Sequence, residues 1–349
     1  MPNNADTMQN ISSLVLCLLR KAGSVAECGV LLSVCLCFAV GAVAQTDDRS
    51  WGVIDVSVCN LRNAADYDAG MSTQALLGMP VKVTGEDDWL HVVTPDGYEA
   101  WVHPSSVWRM TRAQLVAWNQ RPKVNVTAFY GFVYSAPNER SSHVGDVVAS
   151  NRLALLGSSR SYWHVAYPDG RTGYLPKRAA QELTMFRRQV SLSAASLLAT
   201  ALSFNGIPYM WGGTSTKGVD CSGFVSSVML MHDVVIARNA RQQALIGEHI
   251  EIAPDFSNLR PGDLVFFGSK PHDNEPAHVH HVGIYIGKGR FIHSLGWVHV
   301  SSLLPSDPLY DAYNRHRLLW AQRVLPYVNK TAALRTTELS PFYGRHPEQ

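Results

Sequence analysis

The chain has 349 residues, of which 46% are hydrophobic and 17% charged, and its formal net charge at pH 7 is +2. This length predicts two or three globular domains. Because the charge is close to neutral and no Lys- or Arg-rich run occurs, the composition gives no case for nucleic-acid binding, and no nucleic-acid partner is expected.

Residues 1–44 have the composition of an export signal. The basic residues Arg20 and Lys21 precede an apolar run (29–43) that ends in an Ala-Val-Ala triplet. A charged start, an apolar middle and an Ala-x-Ala end are typical of a cleaved signal peptide, and the run is short for a membrane span. We therefore expect an exported, periplasmic or extracytoplasmic protein with no membrane contact after cleavage; a retained anchor is the alternative.

The cysteines are distributed unevenly between the predicted signal peptide and the rest of the chain. Of six cysteines, all but Cys59 and Cys221 lie in the leader. Two cysteines in an exported protein can form a disulfide. These two lie in different predicted domains, so we expect two free thiols.

Two copies of a small β unit come next. In residues 51–110, Trp89-Leu90-His91-Val92 leads into Pro95-Asp96-Gly97, and the same order returns at Tyr162-Trp163-His164-Val165 and Pro168-Asp169-Gly170. Asp-Gly between alternating strands is a strong hairpin signal. Such a repeat predicts two small β-barrels.

The offset between the copies also pairs other positions. It maps Val81 and Val83 onto Ala154 and Leu156. The stretch 111–120 between the copies predicts a helical linker.

A third region contains the candidate nucleophile. An Ala-rich helix with a serine cap (191–202) brings the chain to Tyr209-Met210-Trp211-Gly212-Gly213 and then to Asp220-Cys221-Ser222. Asp220 is a good N-cap residue, and apolar residues at helical spacing follow it. Cys221 is then expected in the first turn of a helix, where the dipole favours the thiolate that a nucleophile needs. A buried structural cysteine is the alternative.

Two later strands carry candidate partners for this thiol. A buried strand is predicted after Arg260-Pro261-Gly262, and a Gly-Lys-Gly turn joins the strands 281–287 and 290–294. The register of that turn makes His281 and His293 diagonal neighbours. We expect His281 to act as the base, His293 to orient it, and the Cys221 backbone N–H to donate to an oxyanion.

Together these motifs resemble the NlpC/P60 (C40) cysteine peptidases, whose catalytic domain has a papain-like α+β fold. The matching segments are Tyr209-x-Trp211-Gly212-Gly213, Asp220-Cys221-Ser222-Gly223-Phe224, Pro261-Gly262-Asp263-Leu264-Val265-Phe266-Phe267, His281-Val282-Gly283-Ile284-Tyr285 and Phe291-Ile292-His293-Ser294. Two preceding bacterial SH3-like domains, and the segment Thr73–Gly78, make the chain similar to the γ-D-glutamyl-L-diamino acid endopeptidases, also called dipeptidyl-peptidase VI.

The resemblance implies an α+β catalytic domain behind two SH3-like β-barrels. The expected order is a signal peptide (1–44), a first SH3-like domain with a helical linker (45–118), a second SH3-like domain (119–188), the catalytic domain (189–328) and a C-terminal tail (329–349). It implies a monomeric cysteine endopeptidase that cuts peptidoglycan stem peptides or muropeptide fragments after γ-D-Glu, releasing L-Ala-γ-D-Glu or a close variant. The resemblance also implies that Cys221, His281 and His293 carry out catalysis without a cofactor or metal. It implies that the substrate is contacted by Tyr209, Trp211, Asp220 and Ser222.

The chain departs from this subgroup at two anionic positions that hold the substrate's free amine. Gly70 stands in place of one acidic residue, and Asn239 follows Arg238 in place of the other. Two anions near one ammonium contribute strongly in a dry site, so both changes bear on recognition of the amine. Tyr98 is expected to help close the site. Arg238 is expected to hold a substrate carboxylate or to be an exposed arginine at a helix end.

Three alternatives remain open at this stage. The run His278-Val279-His280-His281, with His272 and Asp273 upstream, has ligand chemistry suited to a metal. A non-catalytic wall-binding protein would use the repeats and leave the third domain inactive. An acyl transferase or amidase on the same fold would use the same nucleophile.

Overall fold

The computed structural model describes residues 48–273 and 275–344. The predicted signal peptide lies outside these residues. No helix in the described part of the chain is long and apolar enough to span a membrane. The described chain forms two β-barrels followed by a larger α+β domain.

The first barrel contains seven antiparallel strands in the order β3-β2-β6-β5-β4-β1-β7. They are β1 (Trp51–Ile54), β2 (Val58–Arg62), β3 (Met71–Leu76), β4 (Pro80–Glu86), β5 (Leu90–Val93), β6 (Glu99–Val102) and β7 (Val107–Met110). Helix α1 (Arg112–Gln120) follows, and a capping box between Thr111 and Gln114 fixes its first turn. It is the helix predicted between the two copies.

The second barrel repeats this topology strand for strand, in the order β10-β9-β13-β12-β11-β8-β14. Its strands are β8 (Lys123–Val126), β9 (Tyr130–Tyr134), β10 (His143–Val148), β11 (Arg152–Ser158), β12 (Tyr162–Ala166), β13 (Thr172–Pro176) and β14 (Ala180–Glu182). The glycines of the two predicted turns, Gly97 and Gly170, have φ of 77° and 95°, which favours glycine. The internal repeat is therefore confirmed as a structural duplication.

Both predicted equivalences between β4 and β11 are wrong by one residue. Lys82 pairs with Val93 and Ala154 with the corresponding Ala166, so Val81 corresponds to Leu153 and not to Ala154. Val83 pairs with Val92 in the first barrel, whereas Leu155 pairs with the corresponding Val165 in the second. Leu156, which the offset had matched to Val83, is 51% exposed. The β11–β12 turn is one residue longer than the β4–β5 turn, so the offset changes between these two strands.

The third domain begins with helices and continues into a six-stranded antiparallel sheet of order β18-β23-β19-β20-β21-β22. Its helices are α2 (Leu183–Gln189), α3 (Ala194–Ser203), α4 (Cys221–Leu230), α5 (Ala240–Gln243) and α6 (Ala312–Arg317). The sheet strands are β18 (Glu248–Ile250), β19 (Leu264–Ser269), β20 (His278–Gly287), β21 (Arg290–Leu295), β22 (Trp297–Ser302) and β23 (Leu318–Arg323). Two small pairs accompany them, β15 (Thr214–Ser215) with β16 (Gly218–Val219) and β17 (Val234–Ile236) with β24 (Leu334–Thr336).

Helix α4 is buried against this sheet. Phe224, Val225 and Val228 are fully buried in a cluster that also contains residues of β19, β20 and β21. The β19 strand is buried along almost its whole length, as its apolar sequence predicts. The rigid sheet and the central helix thus set the position of Cys221.

The segment expected to be an unpatterned tail is part of the fold. Strand β24 pairs with β17, and Leu334 is fully buried in the main core. Farther on, Phe342 packs edge-on against Trp51, with ring centroids 5.6 Å apart. A strand this short carries little periodicity of its own, because its burial comes from partners distant in sequence.

Candidate active site

The Gly-rich segment before Cys221 is folded tightly around Asp220. The Asp220 carboxylate accepts hydrogen bonds from the backbone N–H of Gly212 (3.0 Å) and of Gly223 (2.7 Å). A Cβ on Gly223 would lie 1.9 Å from the carbonyl oxygen of Gly213. Glycine is therefore required for this close approach, and Asp220 caps α4 as predicted, with Cys221 as the first helical residue.

The two histidines meet in the predicted register. Ile284 pairs with Ile292, which makes His281 and His293 diagonal neighbours. His281 Nε2 and His293 Nδ1 are 2.8 Å apart, and His293 Nε2 lies 3.0 Å from the Ser301 hydroxyl. Because Nε2 of His281 is engaged by His293, Nδ1 is the ring nitrogen that remains for the thiol.

Ser301 was not found from the sequence. It lies on β22 beside β21, where Phe291 is its paired residue. A serine in an ordinary strand carries no local signal of a role. The structure shows it as the end of a buried hydrogen-bonded row that begins at His281.

Burial dominates the protonation of these groups. It raises the pKa of Cys221 to about 11, and the Asp220 charge adds to this, while hydrogen bonds from the backbone of Val282 and Ser222 lower the pKa. Burial also lowers the pKa of His281 to about 4 and that of His293 to about 2. The expectation that the helix dipole eases thiolate formation is therefore outweighed by desolvation. The desolvation cost of a buried thiolate and that of a buried imidazolium offset each other only when the two charges form together.

Arg238 is buried and committed to protein partners. Its Nη2 lies 2.5 Å from Asp220 Oδ2, its Nη1 donates to Asp220 Oδ1 (3.2 Å) and Ser222 Oγ (3.1 Å), and its Nε donates to Thr73 Oγ1 (2.7 Å). It is 3% exposed, so the idea of an exposed arginine at a helix end is wrong. The bidentate pairing predicted for a substrate carboxylate is made with Asp220, because burial requires an internal counter-charge.

The same contact joins the first barrel to the catalytic domain. Besides Thr73, the neighbouring Gln74 accepts the backbone N–H of Thr214 through Oε1 (3.0 Å) and its hydroxyl through the carbonyl oxygen (3.1 Å). The Thr73–Gly78 segment singled out from the sequence is thus the docking strand of this barrel.

A cleft of about 380 Å³ opens over Cys221 between the first barrel and the catalytic domain. Its lining residues are Asn63, Ser72, Tyr98, Tyr209, Trp211, Asp220, Cys221, Ser222, Arg238, Asn239, Ala240, Arg241, Val279 and His280. All seven residues predicted to contact substrate are therefore brought to one cavity. Trp211 is 72% exposed at its rim, and burial raises the pKa of the Tyr209 phenol to about 12, with the nearby Cys221 adding to the shift.

Three polar lining residues were missed. Asn63 and Ser72 come from the first barrel, and Arg241 follows Asn239 by two positions on α5. Asn63 directly follows β2 and Ser72 lies on the edge strand β3, and neither position has a local sequence signal of a role in the cleft. Arg241 carried a weak signal, a basic residue in a short helix beside the motif. Gly70 does not line the cleft; its carbonyl oxygen accepts the backbone N–H of Asn63 (3.0 Å).

The histidine run considered from the sequence as a metal site forms no cluster of ligands, although His280 lines the cleft. Within the described residues, no group of three or more His, Cys, Asp or Glu side chains could hold a metal ion. His280 lies 3.1 Å from the Ser269 hydroxyl, and His272 pairs with Asp273 at the surface. Cys59 and Cys221 are both free thiols, as predicted, and burial raises the pKa of Cys59 to about 12.

A helix-borne cysteine beside two hydrogen-bonded histidines on an antiparallel sheet defines a cysteine peptidase of the papain-like class. The model of the NlpC/P60 family matches residues 206–323, and the model of the bacterial dipeptidyl-peptidase Sh3 domain matches residues 61–107. The chain belongs to the NlpC/P60 family, and it is a cysteine peptidase with SH3-like domains in front of an α+β catalytic domain.

Several known proteins are similar to it. A Bacillus cereus gamma-D-glutamyl-L-lysine dipeptidyl-peptidase is 34% identical over 236 residues, covering 64% of this chain and 67% of that protein. Dipeptidyl-peptidase 6 of Lysinibacillus sphaericus is 31% identical over 276 residues, covering 74% of this chain and 93% of that protein. The crystal structure of an NlpC/P60 family protein from Bacillus cereus superposes with a TM-score of 0.65 and 26% identity over 79% of this chain and 100% of that chain.

Proposed function

We propose that the protein is a peptidoglycan peptidase that hydrolyses the amide bond between γ-linked D-Glu and the following diamino acid of stem peptides. The observation that carries the proposal is the Cys221 thiol at the start of α4, which lines a cleft that the first barrel closes on one side. This thiol lies against the backbone of Val282, on the strand that holds His281 of the hydrogen-bonded pair His281 and His293. Two relatives are gamma-D-glutamyl-L-lysine dipeptidyl-peptidases, and their names support this substrate class.

The reaction follows from the arrangement. Nδ1 of His281 takes the proton of the Cys221 thiol as Sγ attacks the γ-carbonyl carbon of D-Glu. The backbone N–H of Cys221 donates to the oxyanion. Collapse expels the amine of the diamino acid, which takes the proton from His281, and leaves a thioester. Water, deprotonated by His281, then hydrolyses the thioester and restores the thiol.

His293 acts through His281 rather than on the substrate. Its Nδ1 lies 2.8 Å from His281 Nε2, so it fixes the ring orientation and the tautomer that leaves Nδ1 free. His293 is fully buried and its pKa is lowered to about 2. It therefore serves as a neutral positioning residue.

We further propose that the mature chain works outside the cytoplasm as a monomer on stem peptides or muropeptide fragments. Peptidoglycan lies in that compartment, and the signal-like segment 1–44 agrees with export. The cleft is completed by a barrel of the same chain, so a second copy is not needed to form the site.

The test is to incubate the purified mature protein with a stem tripeptide, free and sugar-linked, and to identify the products by mass. We expect cleavage after D-Glu, abolished by Cys221→Ala and reduced by His293→Ala. Cys59→Ala is the matched control, since it removes the other free buried thiol and should leave the rate unchanged. Absence of cleavage of both substrates would refute the peptidase, and full activity of Cys221→Ala would refute the mechanism.

A further inference from the structure

The lining of the cleft contains one carboxylate, and the hydrogen-bonding capacity of this carboxylate is already used by protein groups. Among the described residues that line the cleft, only Asp220 carries a negative charge. Its Oδ2 accepts from Arg238 and from the Gly212 N–H, and its Oδ1 accepts from the Gly223 N–H, the Ser222 hydroxyl and Arg238. No lone pair directed at a ligand remains on this buried group.

The other charge that faces the cleft is positive. Arg241 lines the cleft and is exposed. Among the described residues, its side chain makes one hydrogen bond, from Nε to the Val279 carbonyl oxygen (3.3 Å). Asn239 is neutral, and its Oδ1 is occupied by the N–H of Gln242 (3.1 Å). With Asp220 neutralised by Arg238, the potential in the cleft is set by Arg241.

A further carboxyl group, whose charge acts on Arg238, does not correct this balance. Asp96 lies behind Tyr98, where it accepts from the Thr94 hydroxyl and from the Tyr98 N–H (3.3 Å). Burial raises its pKa, against the lowering effect of Arg238, and it is absent from the cleft lining among the described residues. Burial thus favours its neutral form.

A free ammonium is poorly matched to this surface. The relatives are named dipeptidyl-peptidases, and such an enzyme cuts two residues from a free amino end, which places an ammonium group on the acyl side of the cleft. Here that group would be desolvated next to an arginine with no available carboxylate, which is unfavourable. A neutral amide nitrogen at the same place carries no such penalty.

We propose that this cleft selects stem peptides whose L-Ala nitrogen is acylated, as in a peptide still attached to its sugar, over peptides with a free amino terminus. The proposal rests on the peptidase function proposed above. Arg241 and Asn239 are its specificity-determining residues. The products are then an acylated L-Ala-γ-D-Glu and a peptide that begins with the diamino acid.

The experiment compares two peptides, L-Ala-γ-D-Glu-L-Lys and its N-acetyl derivative. Contacts with the rest of the substrate cancel in the ratio of the two kcat/KM values. We expect the acetylated peptide to be preferred by about tenfold or more. Equal or better cleavage of the free peptide would overturn the selection while leaving the peptidase function intact, and cleavage of neither would overturn both.

Asn239→Asp tests the cause directly. Asp caps a helix as well as Asn does, so α5 keeps its start while a negative charge enters the cleft. The ratio should shift about tenfold towards the free peptide. Thr111→Asp adds the same charge at the N-cap of α1, away from the cleft lining, and should leave the ratio unchanged.

Two further measurements make the result independent of turnover and of one variant. Arg241→Gln should move the ratio in the same direction as Asn239→Asp. In the Cys221→Ala background, calorimetry should show tighter binding of the acetylated peptide, reversed by Asn239→Asp. An unchanged ratio in both cleft variants would overturn the electrostatic cause.

Discussion

The two barrels share one topology but differ in what they do for the active site. Equivalent positions on β3 and β10 hold the same catalytic-domain hairpin, because Gln74 accepts the Thr214 N–H and Asp146 accepts from Lys217 Nζ (2.7 Å). Only the first barrel lines the cleft, with Asn63, Ser72 and Tyr98. The duplicated strands therefore provide a common way of docking, and the loops of one copy provide the wall of the site.

The second barrel is also joined to the rest of the chain by a network of buried charged side chains. Asp233 pairs with Arg152 of β11 (2.5 Å) and with Arg187 of α2 (2.8 Å), and its carboxylate also accepts the Thr337 hydroxyl. Arg152 and Asp233 are each 4% exposed. This network ties the barrel to the segment after α4 and to the C-terminal segment, so its role is support.

The largest expected effect follows from breaking this network. Asp233→Asn keeps a residue that tolerates the positive φ of 62° but leaves two arginines without a counter-charge. We expect a loss of about 3–5 kcal/mol in the free energy of unfolding, measured by urea denaturation, with kcat/KM unchanged well below the transition. Glu139→Gln removes the exposed pair with Arg178 on the same barrel and should leave the urea midpoint where it is. A similar midpoint for both variants would contradict a supporting role for Asp233.

A second contrast lies at equivalent positions of β1 and β8, which hold Trp51 and Lys123, both buried. Burial, and then the nearby Arg152, lower the pKa of Lys123 from 10.5 to about 7. Between those values the unfolded chain binds more protons than the folded chain, so stability rises with pH by up to about 1.4 kcal/mol per pH unit. Unfolding measured from pH 7 to 9 should show this slope in the wild type relative to Lys123→Met. Parallel curves for the two proteins would contradict the depressed pKa.

The first barrel is expected to respond in activity more than in stability. Thr73→Val keeps the shape of the side chain but removes the acceptor for Arg238 Nε. We expect kcat/KM to fall about tenfold, the equivalent of one hydrogen bond to a charged group. Thr84→Val makes the same change at an exposed position of β4 and should be silent. Equal kcat/KM values for the two variants would show that the Thr73 contact of the docking strand does not contribute to activity.

The smallest effect is expected at Asp146, which occupies on β10 the position that Gln74 occupies on β3. The pair of Asp146 with Lys217 is partly exposed, with side-chain exposures of 29% and 41%. Asp146→Asn should cost at most about 1 kcal/mol at low salt, and the difference from wild type should disappear in concentrated salt because the pair is screened. A cost that persists in high salt would show that the contact acts by packing rather than by charge.

The parts of the site that were predictable depend on neighbours in sequence. The N-cap Asp220, the helical spacing after it and the glycine turn before β21 are local signals, and they fixed Cys221 at a helix start and His281 beside His293. The duplicated turns Pro95-Asp96-Gly97 and Pro168-Asp169-Gly170 likewise predicted two β-barrels, and the structure shows that they share one topology. The one-residue errors at Ala154 and Leu156 arose where a turn changed length, because a constant offset cannot follow such a change.

Sequence alone therefore determined the fold class and the repeat and predicted the three candidate catalytic residues, because periodicity, capping and turn chemistry act over a few residues. Tertiary structure decided the rest. Arg238 became a buried partner of Asp220, Ser301 completed the histidine row, and desolvation raised the pKa of the Cys221 thiol against the helix dipole. Each of these depends on groups from separate segments excluding water together, and no local pattern encodes that exclusion.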